Sequence, residues 1–354
     1  MAFSKDIITW YYQHKRDLPW RHTADPYVIW LSEVILQQTR VEQGLPYFHR
    51  FLSHFPDVVS FASAPEGEIL LHWQGLGYYS RARNMHNAAK AVVAEHGGVF
   101  PNRYDDLIKL KGIGEYTASA IASFSAGEAR AVVDGNVFRV LARYFAIDKP
   151  INSTSGRKVF LSLAQELLDN ADPGLHNQAI MEFGALQCKP KNPDCGNCVL
   201  RLDCRAVKEG RVAQLPCKLK GKPSRNRYFN YFVVEDGDRI LMNRRGQGDI
   251  WEGLYELPLV ETDHLMELHE LTAEGAVTAR FGLEAKLKLL GGPVKHVLSH
   301  QNLHVQFVAV EGRRSFDDKK MECSYVFIKD LGTLAKPKLI YSFLKGLYGL
   351  PKST

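Results

Sequence analysis

The chain is 354 residues long, enough for two or three cores at the usual domain size and too long for one. Hydrophobic residues make up 45% and charged residues 24%, a globular balance that excludes wholesale disorder, and no apolar run reaches the ~18 residues of a membrane span. Lys and Arg exceed Asp and Glu by six, a modest surplus that favours polyanionic partners over acidic ones.

Residues 1 to about 206 read as helices, with apolar positions at three- and four-residue spacing broken by Pro and Gly. Glu33 lies in one such helix, where its neighbours three and four positions away are Ile29, Trp30, Leu36 and Gln37. An apolar setting penalises the charged carboxylate and raises its pKa, the condition for a general acid near neutral pH. The simpler reading is a carboxyl at the edge of the apolar face, held by a hydrogen bond.

Further along, Leu110 to Ala118 places Gly112 and Gly114 between two helical segments. Glycines there let the backbone approach a ligand, and the following helix start offers N–H groups to a phosphate. An ordinary turn between packed helices fits the same residues. Asp134 follows Ala131-Val132-Val133 and opens a helix whose face carries Val137, Val140, Leu141, Tyr144 and Phe145. A helix start favours its ionised form, suited to stabilising a cation, although a plain N-cap accounts for Asp134 on its own.

Four of the six cysteines then crowd into seventeen residues: Cys188, six residues, Cys195, two residues, Cys198, five residues, Cys204. Four thiolates at this density wrap one soft metal centre in a reducing compartment. Structural zinc usually shows two close cysteine pairs, whereas only Cys195 and Cys198 are close, so the spacing favours an iron–sulfur cluster. Residues 208–227 follow as a basic linker, with Lys208, Arg211, Lys218, Lys220, Lys222, Arg225 and Arg227 against Glu209. Beyond it the pattern is α+β: strands at Tyr228–Glu235 and Arg239–Asn243 around an Asp236-Gly237-Asp238 hairpin, further strands at Val294–Leu298 and His304–Val310, and helical stretches near 262–280 and 338–348.

Together, Leu31-Ser32-Glu33-Val34-Ile35-Leu36-Gln37-Gln38-Thr39, the Gly75 to Asn84 segment, the glycine hairpin, Val133-Asp134-Gly135-Asn136-Val137 and the four cysteines resemble the helix-hairpin-helix DNA glycosylases that carry a 4Fe-4S cluster. The resemblance covers most of residues 3–206. It implies an all-α helix-hairpin-helix glycosylase domain over 1–207, with a cluster loop at 188–204 ligated by Cys188, Cys195, Cys198 and Cys204. One branch of that family carries a hairpin lysine that attacks the sugar and leads to strand cleavage. Tyr116 stands at that place here, so no Schiff base forms there, and the chain is similar instead to the branch that removes adenine mispaired with 8-oxoguanine or guanine.

On that resemblance the target adenosine flips out of the duplex, Glu33 protonates the purine and Asp134 either stabilises the sugar cation or bonds to it in a covalent intermediate. Asn136 and Tyr116 orient Asp134 and the sugar; Arg21 and Gln178 match base-pocket positions; Gln37 belongs to the same Leu-Gln-Gln-Thr motif; Gln38, Thr39 and Tyr78 match residues that fill the gap in the stack or contact 8-oxoguanine.

Residues 228–354 resemble a Nudix domain through Asn243-Arg244-Arg245 and Trp251 to Pro258. Nudix hydrolysis needs an Arg-Glu dipeptide and paired glutamates, and neither occurs after residue 228. Recognition of 8-oxoguanine is the role the resemblance implies, through Ser299 and His300, with Leu298 where the family has phenylalanine. The expected partner is duplex DNA rather than a membrane, and the expected state is a monomer in the cytoplasm, nucleoid-associated in a bacterium.

Overall fold

The computed structural model describes residues 2–221, 223–311 and 323–350. Lys222 of the basic stretch and part of the Nudix-like region lie outside them. The chain divides into two compact units, Met1–Ser63 with Asn84–Gly221 and Ala64–Arg83 with Lys222–Thr354.

The first unit is helical. Its helices are α1 (Ala2–His14), α2 (Pro26–Leu36), α3 (Val41–His54) and α4 (Val58–Ser63); after α5 (Glu66–His72), which belongs to the second unit, and α6 (Ser80–His96), which begins there, come α7 (Tyr104–Leu107), α8 (Glu115–Ala126), α9 (Gly135–Tyr144), α10 (Thr154–Leu167), α11 (Pro173–Leu186) and α12 (Arg205–Lys208). The start of α2 is set by Asp25, whose carboxylate accepts from the Tyr27 N–H at 2.8 Å, with Pro26 in the first turn, where a missing N–H costs nothing. Its apolar side buries Ile29, Trp30, Leu31, Val34 and Ile35, and Trp30 packs against Phe61 and Phe100.

In α9 the apolar spacing puts Val137, Val140 and Leu141 into one core with Phe160, Ile180 and Phe183, each such side chain contributing roughly 1.5–3 kcal/mol. Leu200, Ala206 and Leu215 close the same core. The cysteine loop and the start of the basic stretch are therefore packed against α9. Buried Arg143 ties them down, donating to the carbonyls of Lys189 at 2.7 Å, Val212 at 3.0 Å and Leu215 at 3.1 Å.

The second unit contains β1 (Arg225–Val233), β2 (Glu235–Asp236), β3 (Arg239–Arg244), β4 (Tyr255–Glu256), β5 (Leu259–Thr262), α13 (Leu268–Ala273), α14 (Gly275–Phe281), β6 (Lys286–Val297), β7 (Gln301–Glu311), β8 (Cys323–Phe327) and α15 (Lys338–Tyr348). One sheet runs β5-β1-β7-β6, with β1 and β7 parallel; the other runs β2-β3-β4, with β8 also on β3. The predicted hairpin forms, pairing Asp236 with Arg239 and placing Gly237 at φ 63°. The predicted strand at Val294–Leu298 is the end of a longer β6, and the helical stretch near 262–280 is two short helices parted at Glu274, whose carboxylate caps α14.

The segment from Ala64 to Arg83 is held to this unit by polar contacts. Lys336 donates its N–H to Gln74 Oε1 at 2.9 Å, Tyr79 Oη donates to the Lys336 carbonyl at 3.2 Å, and Arg83 donates to the Glu252 carbonyl at 2.6 Å. Between the first two, Gly75 and Gly77 adopt φ 103° and 75°, and Tyr78 itself has φ 49°. This left-handed turn, open to a glycine but strained for a tyrosine, presents the Tyr78 ring to solvent.

Candidate active site

In the first unit α2, the loop after it, α8 and α9 enclose a cavity of about 440 Å3 lined by Arg21, Glu33, Gln37, Gln38, Thr39, Tyr116, Asp134 and Asn136. Eight residues singled out in the sequence thus meet in one place. Glu33 reaches it from α2, and Tyr116, in the first turn of α8, hydrogen-bonds the Glu33 carboxyl. Enclosure by protein pushes the Glu33 pKa up to about 7; the Tyr116 hydroxyl and Arg21 oppose the rise, and the nearby Asp134 charge adds to it.

Asp134 is the N-cap of α9. One carboxylate oxygen accepts from the backbone N–H groups of Asn136 and Val137, both at 2.8 Å, and the other accepts from Asn136 Nδ2 at 2.6 Å. Sequence reasoning expected the helix start to favour the anion. Burial nevertheless raises its pKa, and these three N–H donors, with Arg139, work against that rise. The Asn136 amide is oriented in turn by Arg139, which donates to Asn136 Oδ1 at 2.8 Å, to the Gly184 carbonyl at 2.7 Å and to the Cys188 carbonyl at 2.7 Å. The site therefore pairs a carboxyl poised to give up a proton near neutrality with a carboxylate fixed by donors on both oxygens.

Three residues that frame this site were not singled out. Glu182 is buried in α11 and accepts from Arg16 at 2.7 and 3.0 Å and from Arg21 at 2.8 and 3.1 Å. Burial raises its pKa, but the hydrogen bonds from the two arginines outweigh it and hold the carboxyl at about 2. The ion pairs lock the Arg21 guanidinium in place. Trp20 lines the cavity beside it. The available signal was Glu182 itself, an acid between Met181 and Phe183 and one helical turn after Gln178. Gln178, with Arg21 and Glu33, lines a smaller chamber next to the main cavity, and its Oε1 accepts from Tyr11 Oη at 2.9 Å.

The four cysteines line one small, mostly apolar cavity with Val140, Arg143 and Leu200. None is in a disulfide. Among the described residues no three His, Cys, Asp or Glu side chains stand close enough to hold a single metal ion. Burial pushes the Cys198 thiol up to about 11 and raises Cys195 and Cys204, while Arg143 Nη1 donates to Cys188 Sγ at 3.4 Å.

In the hairpin Gly112 has φ 83°, and a Cβ there would lie 2.6 Å from Asn84 Cβ, so both the backbone and its neighbour require glycine. Gly114 has extended dihedrals, and a Cβ on it would meet nothing within 4 Å. The protein itself places no demand for glycine at 114.

Tyr78, Ser299 and His300 are brought together in the second unit, around a cavity of about 480 Å3 also lined by Trp251 and Leu298. Tyr78 Oη and Ser299 Oγ are hydrogen-bonded. Carboxylates nearby are engaged: Arg227 grips Asp249 and Glu261, and Arg245 grips Glu256 and Asp249.

Comparison with known proteins agrees with this layout. The model of the HhH-GPD superfamily of base excision DNA repair proteins matches residues 31–162, and that of the NUDIX domain matches residues 230–346. The adenine DNA glycosylase of Buchnera aphidicola subsp. Schizaphis graminum is 32% identical over 97% of this chain and 98% of its own length. The human adenine DNA glycosylase is 43% identical over 88% of this chain and 68% of its own length. The chain belongs to the adenine DNA glycosylases.

Among solved structures, a thermostable thymine-DNA glycosylase is 29% identical and superposes with a TM-score of 0.55 over 59% of this chain and 96% of that one. An endonuclease III in a non-covalent complex with DNA, 20% identical with a TM-score of 0.52 over 59% of this chain and 95% of that one, shares the helical fold. Glu33, Tyr116, Asp134 and Asn136 converge on one cavity of this adenine DNA glycosylase. Its Nudix-like unit keeps the sheets but, in the Arg227 and Arg245 clusters, commits its carboxylates to arginines.

Proposed function

We propose that this chain is a monofunctional glycosylase that hydrolyses the N-glycosidic bond of adenine paired with 8-oxoguanine or guanine in duplex DNA. The observation that carries the reading is Glu33, its pKa near 7, facing the same cavity as the donor-fixed Asp134. With the flipped nucleoside in that cavity, Glu33 gives its proton to a ring nitrogen of the purine. The bond from the sugar to adenine then breaks with its electron pair going to the base, and Asp134 stabilises the sugar cation. Water adds to the sugar and its released proton restores Glu33. Tyr116 offers no amine, so the strand stays intact at this step.

Excision is assigned to residues 1–207 and recognition of 8-oxoguanine to residues 228–354, with 208–227 between them, save that the Ala64–Arg83 segment carrying Tyr78 goes with the second unit. Tyr78, Ser299 and His300 supply contacts to the oxidised base. Phosphate binding is assigned to the hairpin, where Gly114 leaves its surroundings clear for a close backbone approach.

Cys188, Cys195, Cys198 and Cys204 would hold a 4Fe-4S cluster. Four thiols around one cavity, with the Arg143 guanidinium against Cys188 Sγ to offset their charge, fit such a group. Bound there, it would cross-link the loop and leave the hydrolysis to the chain's own carboxyls. The protein acts as a monomer in the cytoplasm, on the nucleoid in a bacterium. Glu33→Gln tests the chemistry: duplex binding is retained and adenine release is lost, whereas near-normal release removes Glu33 from the acid role.

A further inference from the structure

We infer that excised adenine leaves through a passage at the rear of the active site, gated by Phe124, while the duplex still covers the front. The inference rests on the excision reading above. Behind the main cavity lies a chamber of about 40 Å3 that shares Trp20, Arg21, Glu33 and Met181 with it. Behind that chamber is an outer cavity of about 630 Å3, and the wall between them is formed by Arg21, Phe124 and Gln178, which line both. The chamber thus shares walls with both larger cavities, with Glu33 on its boundary with the first, while Arg16 and Arg21 line both of the larger ones.

Two of the three wall residues are fixed. Arg21 is held by Glu182 and by the Arg16 carbonyl at 2.9 Å, and Gln178 by the Tyr11 hydroxyl at 2.9 Å. Phe124 is different: it is half-buried near the end of α8, three residues before the left-handed Gly127 that stops the helix, and a phenyl ring has no polar atom to be pinned by. The resting chamber admits water but not a purine, so the ring must rotate for adenine to pass. Once through, the base meets the exposed ring of Tyr12, which lines the outer cavity with Lys15 Nζ 5.8 Å from its centroid. The front opening offers no such exit, because the flipped nucleoside and its strand fill it until the duplex dissociates.

The test uses the full chain and a duplex carrying radiolabelled adenine opposite 8-oxoguanine, with protein in excess. Abasic sites are counted after alkali, and free adenine is separated by rapid filtration that retains the protein–DNA complex. The expected result is label in the filtrate while the duplex is still held. Phe124→Trp slows that escape about fivefold with abasic-site formation little changed, and Phe124→Ala escapes at least as fast as the parent. Label that leaves only with the duplex, or equal escape from all three proteins, overturns the inference. Absence of abasic sites in the parent instead overturns the excision reading on which it rests.

Discussion

At the scale of single residues, the chemistry depends on how enclosure acts on two carboxyls. Glu33 is lifted to about 7 from an ordinary 4.5, so its acid form is lost as pH rises through 7. The single-turnover rate of adenine excision is therefore expected to fall about tenfold per unit well above pH 7 and to fall again on the acid side, where Asp134, its pKa raised by burial, takes up a proton; a rate still flat at pH 9 would show that another group supplies the proton. The same shift has a stability consequence. A raised carboxyl pKa means that the folded chain holds a proton the unfolded chain has released, so stability declines as pH rises from 4.5 towards 7. Glu33→Gln removes that penalty, which is worth about 3 kcal/mol when complete. Thermal unfolding should find the variant more stable than the parent at pH 8 and equal to it at pH 4, and equality at both would contradict the assigned shift.

Sequence reasoning reached Glu33 because its apolar neighbours are local, three and four positions away. It named Arg21 but did not reach the pairing of Arg16 and Arg21 with Glu182, more than 160 positions away in the chain. Nor did it see that burial outweighs the cap at Asp134, because enclosure is a property of the assembled cavity.

At the scale of elements, α9 separates a cap from a catalyst. Asparagine is as good an N-cap as aspartate, but its Nδ2 would face the Asn136 amide donor, so Asp134→Asn is expected to cost about 1 kcal/mol of stability while excision falls by orders of magnitude. Full activity would reduce Asp134 to a cap. The hairpin makes a second contrast. Gly112→Ala meets both a positive φ and the Asn84 side chain, and should cost about 1–2 kcal/mol. Gly114→Ala, with open space around it and extended dihedrals, should cost only the N-cap preference for glycine over alanine, about 0.5 kcal/mol, and weaken duplex binding; unaltered binding would show that the hairpin does not approach the phosphates.

The elements themselves were well marked in the sequence. Helix starts such as Asp134 and the Gly237 hairpin carry their cause within a few residues. The composition of 208–227 was less informative: Leu215 is buried in the first unit's core and Arg227 is part of β1, paired with Asp249 and Glu261. A run of like charge does not disclose carboxylates that arrive from distant strands.

At the scale of the whole molecule, the division between units does not follow the order of the chain. Residues Ala64–Arg83 belong with the second unit, and no change in composition announces it; the ties run through Gln74, Tyr79 and Arg83 to partners more than 160 positions later. Tyr78 rides on this segment, hydrogen-bonded to Ser299, and in the proposed reading the two contact 8-oxoguanine together. Ser299→Ala in the full chain is expected to narrow the preference for 8-oxoguanine·adenine over guanine·adenine duplexes, with excision from guanine·adenine unchanged. A preference that stays the same would remove this cavity from recognition of the oxidised base.

The central claim is monofunctional adenine excision. It is tested most directly by a single-turnover reaction on a duplex with one 8-oxoguanine·adenine pair, resolved with and without alkali. The account predicts breakage of the adenine strand only after alkali. Breakage without alkali would place an amine nucleophile at the sugar, and a bound duplex that is not cut under either condition would contradict excision altogether.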